Sequence, residues 1–382
     1  MQFRDLQKQY EVLKDEINAA LMSVAASANF ISGPQVKELE RALAEYVGVK
    51  HCITCANGTD AITIAMRTWG VGKGDAVFVP DFTFFSSGEC PADEGGTPIY
   101  VDVDQRTYNI DPMKLEEAVK KIIAEGKYKA KAVVAVDLFG LPADYPEIKA
   151  ICKKYDLLLL EDGAQGFGGN INGKKACSFG DISTTSFFPA KPLGCYGDGG
   201  AIFTDNDEWA DLIRSICVHG KDTCNPNDPN AKYNNVRLGK NSRLDTLQAA
   251  ILLPKFKAFV DYELAEVNKV ASWYTEGLKD IDLVLPEVRK GFYSSWAQYT
   301  IQLPDRVNRK ELQAKLKALG IPSMVYYAKP MHCQSAFAGT DSAIADCPVT
   351  EQHCAKVLSL PLDPYKTKRD IDFVVDEIKK AL

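Results

Sequence analysis

The chain has 382 residues, 46% hydrophobic, 25% charged and 10% aromatic, enough apolar material for a substantial core, which excludes disordered and collagen-like chains. Its 45 Lys and Arg against 51 Asp and Glu give a net charge of −6, and the signs are interspersed, so no basic face for nucleic acid or anionic lipid is expected. Met1 to Lys8 lack a signal-peptide profile, no apolar run approaches the roughly 20 residues that span a bilayer, and eleven scattered cysteines suit reduced thiols. A cytoplasmic protein away from membranes is the expectation.

Taken in chain order, Val36, Leu39, Leu43, Tyr46 and Val47 recur at helical spacing after Pro34 and predict a helix over 35–47. A strand over 51–54 leads into a helix from about 59, and a strand over 76–79 into another crossover. A helix over 114–124, a strand over 132–138, a helix over 145–155 and a short apolar strand over 157–160 follow. Such alternation predicts parallel βαβ units with helices on both faces, and catalytic groups at the carboxyl ends of buried strands. Asn172-Gly173 reads as a hairpin turn, 201–204 as a strand, 224–235 as a polar loop, and 243–260 as a long helix. Beyond 294 the order changes to a strand over 298–303, a helix over 309–319 capped by Asn308, a strand over 323–327 and an amphipathic helix over 368–382. The expected architecture is therefore α/β, with a large domain over 1–255 and a smaller C-terminal α/β domain over 256–382.

Three motifs carry chemistry. The apolar strand Leu157-Leu158-Leu159-Leu160 ends in Glu161 and Asp162, leaving Asp162 at a strand's carboxyl end beside a crevice. Lys191 stands between the hydroxyl-rich, aromatic run Ser183 to Phe188 and the glycine-rich run Gly194 to Gly200; apolar surroundings ease deprotonation of its amine, as a Schiff-base nucleophile requires. Ala56-Asn57-Gly58-Thr59-Asp60 follows a strand and opens a helix, where free N–H groups and the helix dipole favour an anion. A lysine for an aldehyde, a carboxylate for a pyridine nitrogen and donors for a phosphate are what a pyridoxal phosphate enzyme needs.

Asn57-Gly58-Thr59-Asp60-Ala61, Phe82-Thr83-Phe84, Glu161-Asp162-Gly163-Ala164-Gln165, the segment Ser186 to Gly194, Gly197-Asp198-Gly199-Gly200 and Asn241-Ser242-Arg243-Leu244-Asp245 resemble, in order and spacing, the DegT family of nucleotide-sugar aminotransferases over nearly the whole chain. The resemblance implies the aspartate aminotransferase (type I) fold, a mostly parallel central sheet with helices on both faces, a homodimer and pyridoxal 5'-phosphate, with pyridoxamine 5'-phosphate between the half-reactions. It implies that Lys191 binds the cofactor and carries protons, that Asp162 partners the pyridinium, and that Gln165 lies near the ring's phenolic oxygen. It places Phe84 on the ring, Gly58, Thr59 and Ser186 on the phosphate, and Asn241 on the phosphate of the other subunit. Within the family the Lys191 region is most similar to enzymes that aminate C3 of UDP-2-acetamido-3-keto-glucuronate for surface polysaccharides, with an amino acid, L-glutamate, as donor. Arg237, Arg243 and Arg214 are then candidates for the uronate carboxylate. Tyr326, where relatives often have His, and His219 are candidates for the substrate mouth. Amination of a dTDP-linked 3-keto-6-deoxy sugar, and a non-catalytic regulator on the same fold, are the alternatives.

Several patterns carry no function. Cys52-Ile53-Thr54-Cys55 lacks a second pair or a His cluster and reads as two half-buried strand cysteines. His51, His219, His332 and His353 have no metal-ligand spacing, so no metal is expected. Gly168 to Lys174 approaches a phosphate loop, but Lys175 stands where Ser or Thr is needed, and no GxGxxG follows a strand.

Overall fold

A computed structural model describes residues 1–223 and 234–382; of the loop expected over 224–235, residues 224–233 lie outside that description. The chain opens with helix α1 (Leu6–Ser27), which the periodicity did not predict, because its buried stripe of Gln9, Leu13, Ile17 and Val24 is sparse. Helix α2 (Pro34–Val47) follows with Pro34 in its first turn and Gly48 ending it in a left-handed conformation.

Strands and helices then alternate as predicted: β1 (His51–Cys55), α3 (Gly58–Thr68), β2 (Asp75–Pro80), α4 (Ser86–Asp93), β3 (Thr97–Val101), α5 (Pro112–Glu125), β4 (Lys129–Val136), α6 (Tyr145–Tyr155) and β5 (Leu158–Asp162). A small hairpin, β6 (Asn170–Ile171) and β7 (Lys174–Lys175), turns at Asn172 and Gly173, both at positive φ. Next come β8 (Ile182–Ser186), β9 (Gly200–Thr204) and α7 (Asp207–Cys217). Seven strands form one sheet in the order β1-β9-β8-β5-β4-β2-β3. Both ladders of β9 are antiparallel and the other four are parallel. The run from Ala132 to Val136 is buried throughout, as a strand covered on both faces must be. Ile62, Met66, Ile213 and Ile216 of α3 and α7 cover one face, and Leu115, Val119 and Ile148 of α5 and α6 cover the other. Cys52 and Cys55 are fully buried rather than half-buried.

Helix α8 (Thr246–Ala258) begins after the expected residue 243, because Asp245 is still extended, and it passes through a π-helical turn, Phe259–Glu263, straight into α9 (Leu264–Leu278). Strand β10 (Phe292–Tyr293) returns to pair with β6. The rest comprises β11 (Tyr299–Gln302), α10 (Arg309–Ala318), α11 (Pro348–Lys356), β12 (Val357–Leu360) and α12 (Lys368–Ala381). Asn308 caps α10 by accepting from the N–H groups of Lys310 and Glu311, as expected. A second core gathers Val270, Tyr274, Tyr299, Ile301, Leu312 and Val374. The expected strand over 323–327 is corrected: only Met324 bridges, to Ser359, and the chain then turns so that the Tyr327 hydroxyl meets Gln165 at 3.1 Å. Among the described residues no helix is long and apolar enough to cross a membrane.

Candidate active site

The groups singled out in the sequence converge at the carboxyl ends of β1, β5 and β8. Asp162 is the last residue of β5 and is buried. Its Oδ2 accepts from Ser87 Oγ at 2.9 Å and its Oδ1 from the Ala164 N–H at 3.2 Å. Burial pushes this carboxyl's pKa up, against the Ser87 bond, the Lys191 charge and the Ala164 N–H, which favour the ionised form. Lys191 lies on the loop between β8 and β9. Burial lowers its pKa, and the negative charge of Asp162 opposes that shift. A lysine and a buried carboxylate that perturb each other are the expected mark of a reactive site.

Around this pair stand the remaining predicted contacts. Gln165 uses both ends of its amide: Oε1 accepts from the Phe139 N–H at 2.8 Å, and Nε2 donates to Tyr327 Oη at 3.1 Å. Phe84 is 54% exposed, with its ring centroid 6.4 Å from that of Tyr327, so it is not a core residue. Gly58 and Thr59 open α3, whose cap Asn57 accepts from the Asp60 N–H at 2.7 Å. A Cβ on Gly58 would stand 2.7 Å from Ser186 Cβ, so only glycine lets β8 and the start of α3 close into one cradle at the helix's positive end. Thr59 Oγ1 lies 2.8 Å from Ser86 Oγ.

The outer residues divide. Asn241 is exposed, takes a hydrogen bond from Arg243, and shares with it an open groove of about 480 Å³ that also touches Ala56, Gly197, Asp198 and Gln248. Ser242 Oγ accepts from the Ala56 N–H at 3.1 Å, holding this stretch beside the turn into α3. Tyr326 packs between Phe3 and Tyr327, with centroids at 6.4 and 5.8 Å. Arg214 is not brought to the site: it reaches Glu40 at 3.2 Å and the Cys52 carbonyl at 3.3 Å, tying α7 to α2 and β1. Arg237 donates to Ser215 Oγ. His219 is exposed at φ 66, its carbonyl accepting from Asn235 Nδ2 at 2.8 Å.

Sequence reasoning missed Ser87 and Tyr327 as the partners of Asp162 and Gln165. Ser87 lies close behind the Phe82-Thr83-Phe84 motif, but nothing local marks its hydroxyl as a carboxylate donor. The donors of Asp81, His332 and Cys347 also cluster. There Asp81 Oδ2 and His332 Nδ1 are 2.7 Å apart and Oδ1 accepts from the His332 N–H at 2.8 Å, so these groups satisfy one another directly.

A buried carboxylate whose desolvation is only partly offset, a lysine with a lowered pKa, an exposed aromatic ring and an anion cradle at a helix N-terminus fit pyridoxal phosphate. Together they define a lysine-dependent enzyme of that cofactor class. The chain belongs to the DegT/DnrJ/EryC1/StrS aminotransferase family, whose model matches residues 11–379. It is 44% identical over 374 residues, 98% of each chain, to the UDP-2-acetamido-2-deoxy-3-oxo-D-glucuronate aminotransferase of Pseudomonas aeruginosa. It is 43% identical to a pleiotropic regulatory protein of Geobacillus stearothermophilus, over 98% of this chain and 96% of that one. The crystal structure of a DegT/DnrJ/EryC1/StrS aminotransferase from Brucella abortus superposes with a TM-score of 0.94 at 45% identity, covering 100% of this chain and 99% of that one. NtdA from Bacillus subtilis, solved with its cofactor PMP bound, superposes with a TM-score of 0.86 at 31% identity, covering 96% and 81%. The fold is thus the type I aminotransferase fold, the activity that of a sugar aminotransferase, and the cofactor pyridoxal 5'-phosphate.

Proposed function

We propose that this enzyme moves an amino group from L-glutamate to C3 of UDP-2-acetamido-3-keto-glucuronate, in the cytoplasm, to supply a diamino-uronate for surface polysaccharide such as the O-antigen of lipopolysaccharide. The observation that carries the reading is Lys191 within the electrostatic influence of the buried Asp162, in a chain 44% identical over 98% of its length to a relative named for that uronate. The same intact pair speaks against the non-catalytic alternative, although one relative is named as a regulator.

When bound, the cofactor supplies an electron sink for the pair left by breaking a C–H bond beside nitrogen. The protein does the rest. Lys191 Nζ, its pKa lowered by burial, holds the cofactor at rest, takes the proton from the amino-bearing carbon of the donor, and delivers a proton to C3 of the sugar. Asp162 would hold the ring nitrogen of the bound cofactor in its protonated form. Gly58, Thr59 and Ser186 would take its phosphate, Phe84 would cover its ring, and Gln165, its amide fixed by Phe139 and Tyr327, would meet its phenolic oxygen. Arg243, in the groove with Asn241, is the arginine we assign to the uronate carboxylate. Arg214 and Arg237 do not line that groove and are tied to Glu40, the Cys52 carbonyl and Ser215.

The test offers the enzyme, first aminated with L-glutamate, equal amounts of the UDP-linked 3-keto uronate and a dTDP-linked 3-keto-6-deoxyhexose. Preferential amination of the uronate is expected, with the preference lost in Arg243→Ala. Preference for the deoxy sugar would overturn the assignment.

A further inference from the structure

We propose that Asp137 is a neutral carboxylic acid whose retained proton donates a hydrogen bond to the Glu161 carboxylate, and that this acid–carboxylate pair positions the loop carrying Asp162 and Gln165. The proton assignment stands on burial, on the unpartnered Asp137 oxygen and on the carboxylate beside it; only the role of the loop rests on the aminotransferase reading.

Both carboxyl groups are fully buried. Glu161 is saturated with donors: Oε1 accepts from the Cys177 N–H at 2.5 Å, and Oε2 from the Phe179 N–H at 2.6 Å, the Gly180 N–H at 3.2 Å and Ser183 Oγ at 2.8 Å. Asp137 Oδ1 accepts from the Ala143 N–H at 3.0 Å and Tyr145 Oη at 2.7 Å. Asp137 Oδ2 is different: it is buried, and no N–H or O–H among the described residues reaches it. What it meets is the Glu161 carboxylate. Two acceptor-only oxygens cannot bond, and a buried oxygen without a partner is costly. A single proton on Asp137 Oδ2 resolves both problems, as in carboxyl pairs that share a site. The donors crowding Glu161 place the negative charge there. The other titratable groups facing Asp137 are Tyr145 from α6 and Cys177 from the loop after β7, and burial raises both well above their ordinary values; burial raises Glu161 too, but the N–H groups of Cys177, Phe179 and Gly180 and the Ser183 hydroxyl favour its ionised form.

The pair lies against the reactive loop. The Asp137 N–H donates to the Asp162 carbonyl at 3.1 Å, and the Phe139 N–H, two residues on, holds Gln165. Gly166 packs so closely that a Cβ there would stand 2.3 Å from Asp137 Oδ2. A second negative charge at this point would also sit beside Asp162.

Infrared spectra of the cofactor-loaded enzyme at neutral pH test the assignment. A deuterium-sensitive carbonyl band of a protonated carboxylic acid is expected in the wild type and absent in Asp137→Asn. That variant presents an NH2 to Glu161 and an oxygen to Ala143 and Tyr145, so its cofactor affinity and its kcat against pH should stay within about twofold of wild type. Asp137→Leu, which can do neither, should weaken cofactor binding on the order of tenfold. A wild-type spectrum without the band, or an Asn variant as impaired as the Leu variant, overturns the proposal. The band decides the matter even if the chain were to aminate no sugar.

Discussion

The carboxylate of Asp162 depends on a hydroxyl from another element, since Ser87 on the first turn of α4 reaches it at 2.9 Å. Burial already raises this carboxyl's pKa, and Ser87 is the largest influence opposing that rise. Deleting the hydroxyl in Ser87→Ala therefore raises the pKa further, so the carboxylate takes up its proton at a higher pH. The acid limb of kcat/KM should move up by about one to two pH units, corresponding to roughly 1–3 kcal/mol for a lost buried hydrogen bond, with little change where Asp162 stays ionised. A pH–rate profile of the variant checks this, and an unmoved acid limb would show that Ser87 is only structural. Asp162 and Lys191 were legible in the sequence because each stands at a local break in pattern, an apolar strand's end and a lysine between aromatic and glycine runs. Ser87 and Tyr327 were not, because their partners lie 75 and 162 residues away, and no local pattern encodes such a pairing.

At the scale of elements, the start of α3 is decided by contact rather than by helix propensity. Alanine favours a helix over glycine by about 0.8–1 kcal/mol, yet a Cβ on Gly58 would approach Ser186 Cβ to 2.7 Å and force β8 and α3 apart. Gly58→Ala should therefore loosen the anion cradle and raise the cofactor's Kd by roughly tenfold, measured by titrating the apo-enzyme. Unchanged affinity would remove Gly58 and Ser186 from the phosphate site. Elements with dense periodicity, such as α2 and α6, appear within a residue of their predicted bounds. Where prediction departed from structure, tertiary contacts had the final say. The four residues of α1 that are buried do not make a strong stripe. The segment 323–327 has the composition of a strand, but its tyrosines are drawn to Phe3, Gln165 and Phe84.

Across the whole molecule the two cores are stitched rather than merely adjoined. Met331, Phe337, Cys354 and Val357 from the C-terminal part are buried in the core of the large sheet. Arg289 bridges to Asp104 and Asp144 at 3.0 and 3.2 Å. Separate domains over 1–255 and 256–382 remain a proposal whose boundary would fall within the continuous run of α8 and α9. The exposed Asn241, placed on its groove with Arg243, leads us to propose a two-fold homodimer in which it serves the partner's cofactor phosphate. Mixing inactive Lys191→Ala and Asn241→Ala dimers, with subunit exchange, should then restore about a quarter of the sites, because half the dimers are hybrids and each hybrid has one complete site. No recovery in an exchanged mixture would place Asn241 at its own subunit's site.

The reversal of β9 has a consequence for the lysine. A connection between parallel strands must travel far enough to hold a crossover, but the chain leaves β8 and comes back antiparallel on its immediate neighbour, β9. The two feet of the Lys191 loop are therefore planted about 4.8 Å apart in a single ladder. The lysine rides a loop over 187–199 whose two ends are paired to each other, so they cannot drift independently.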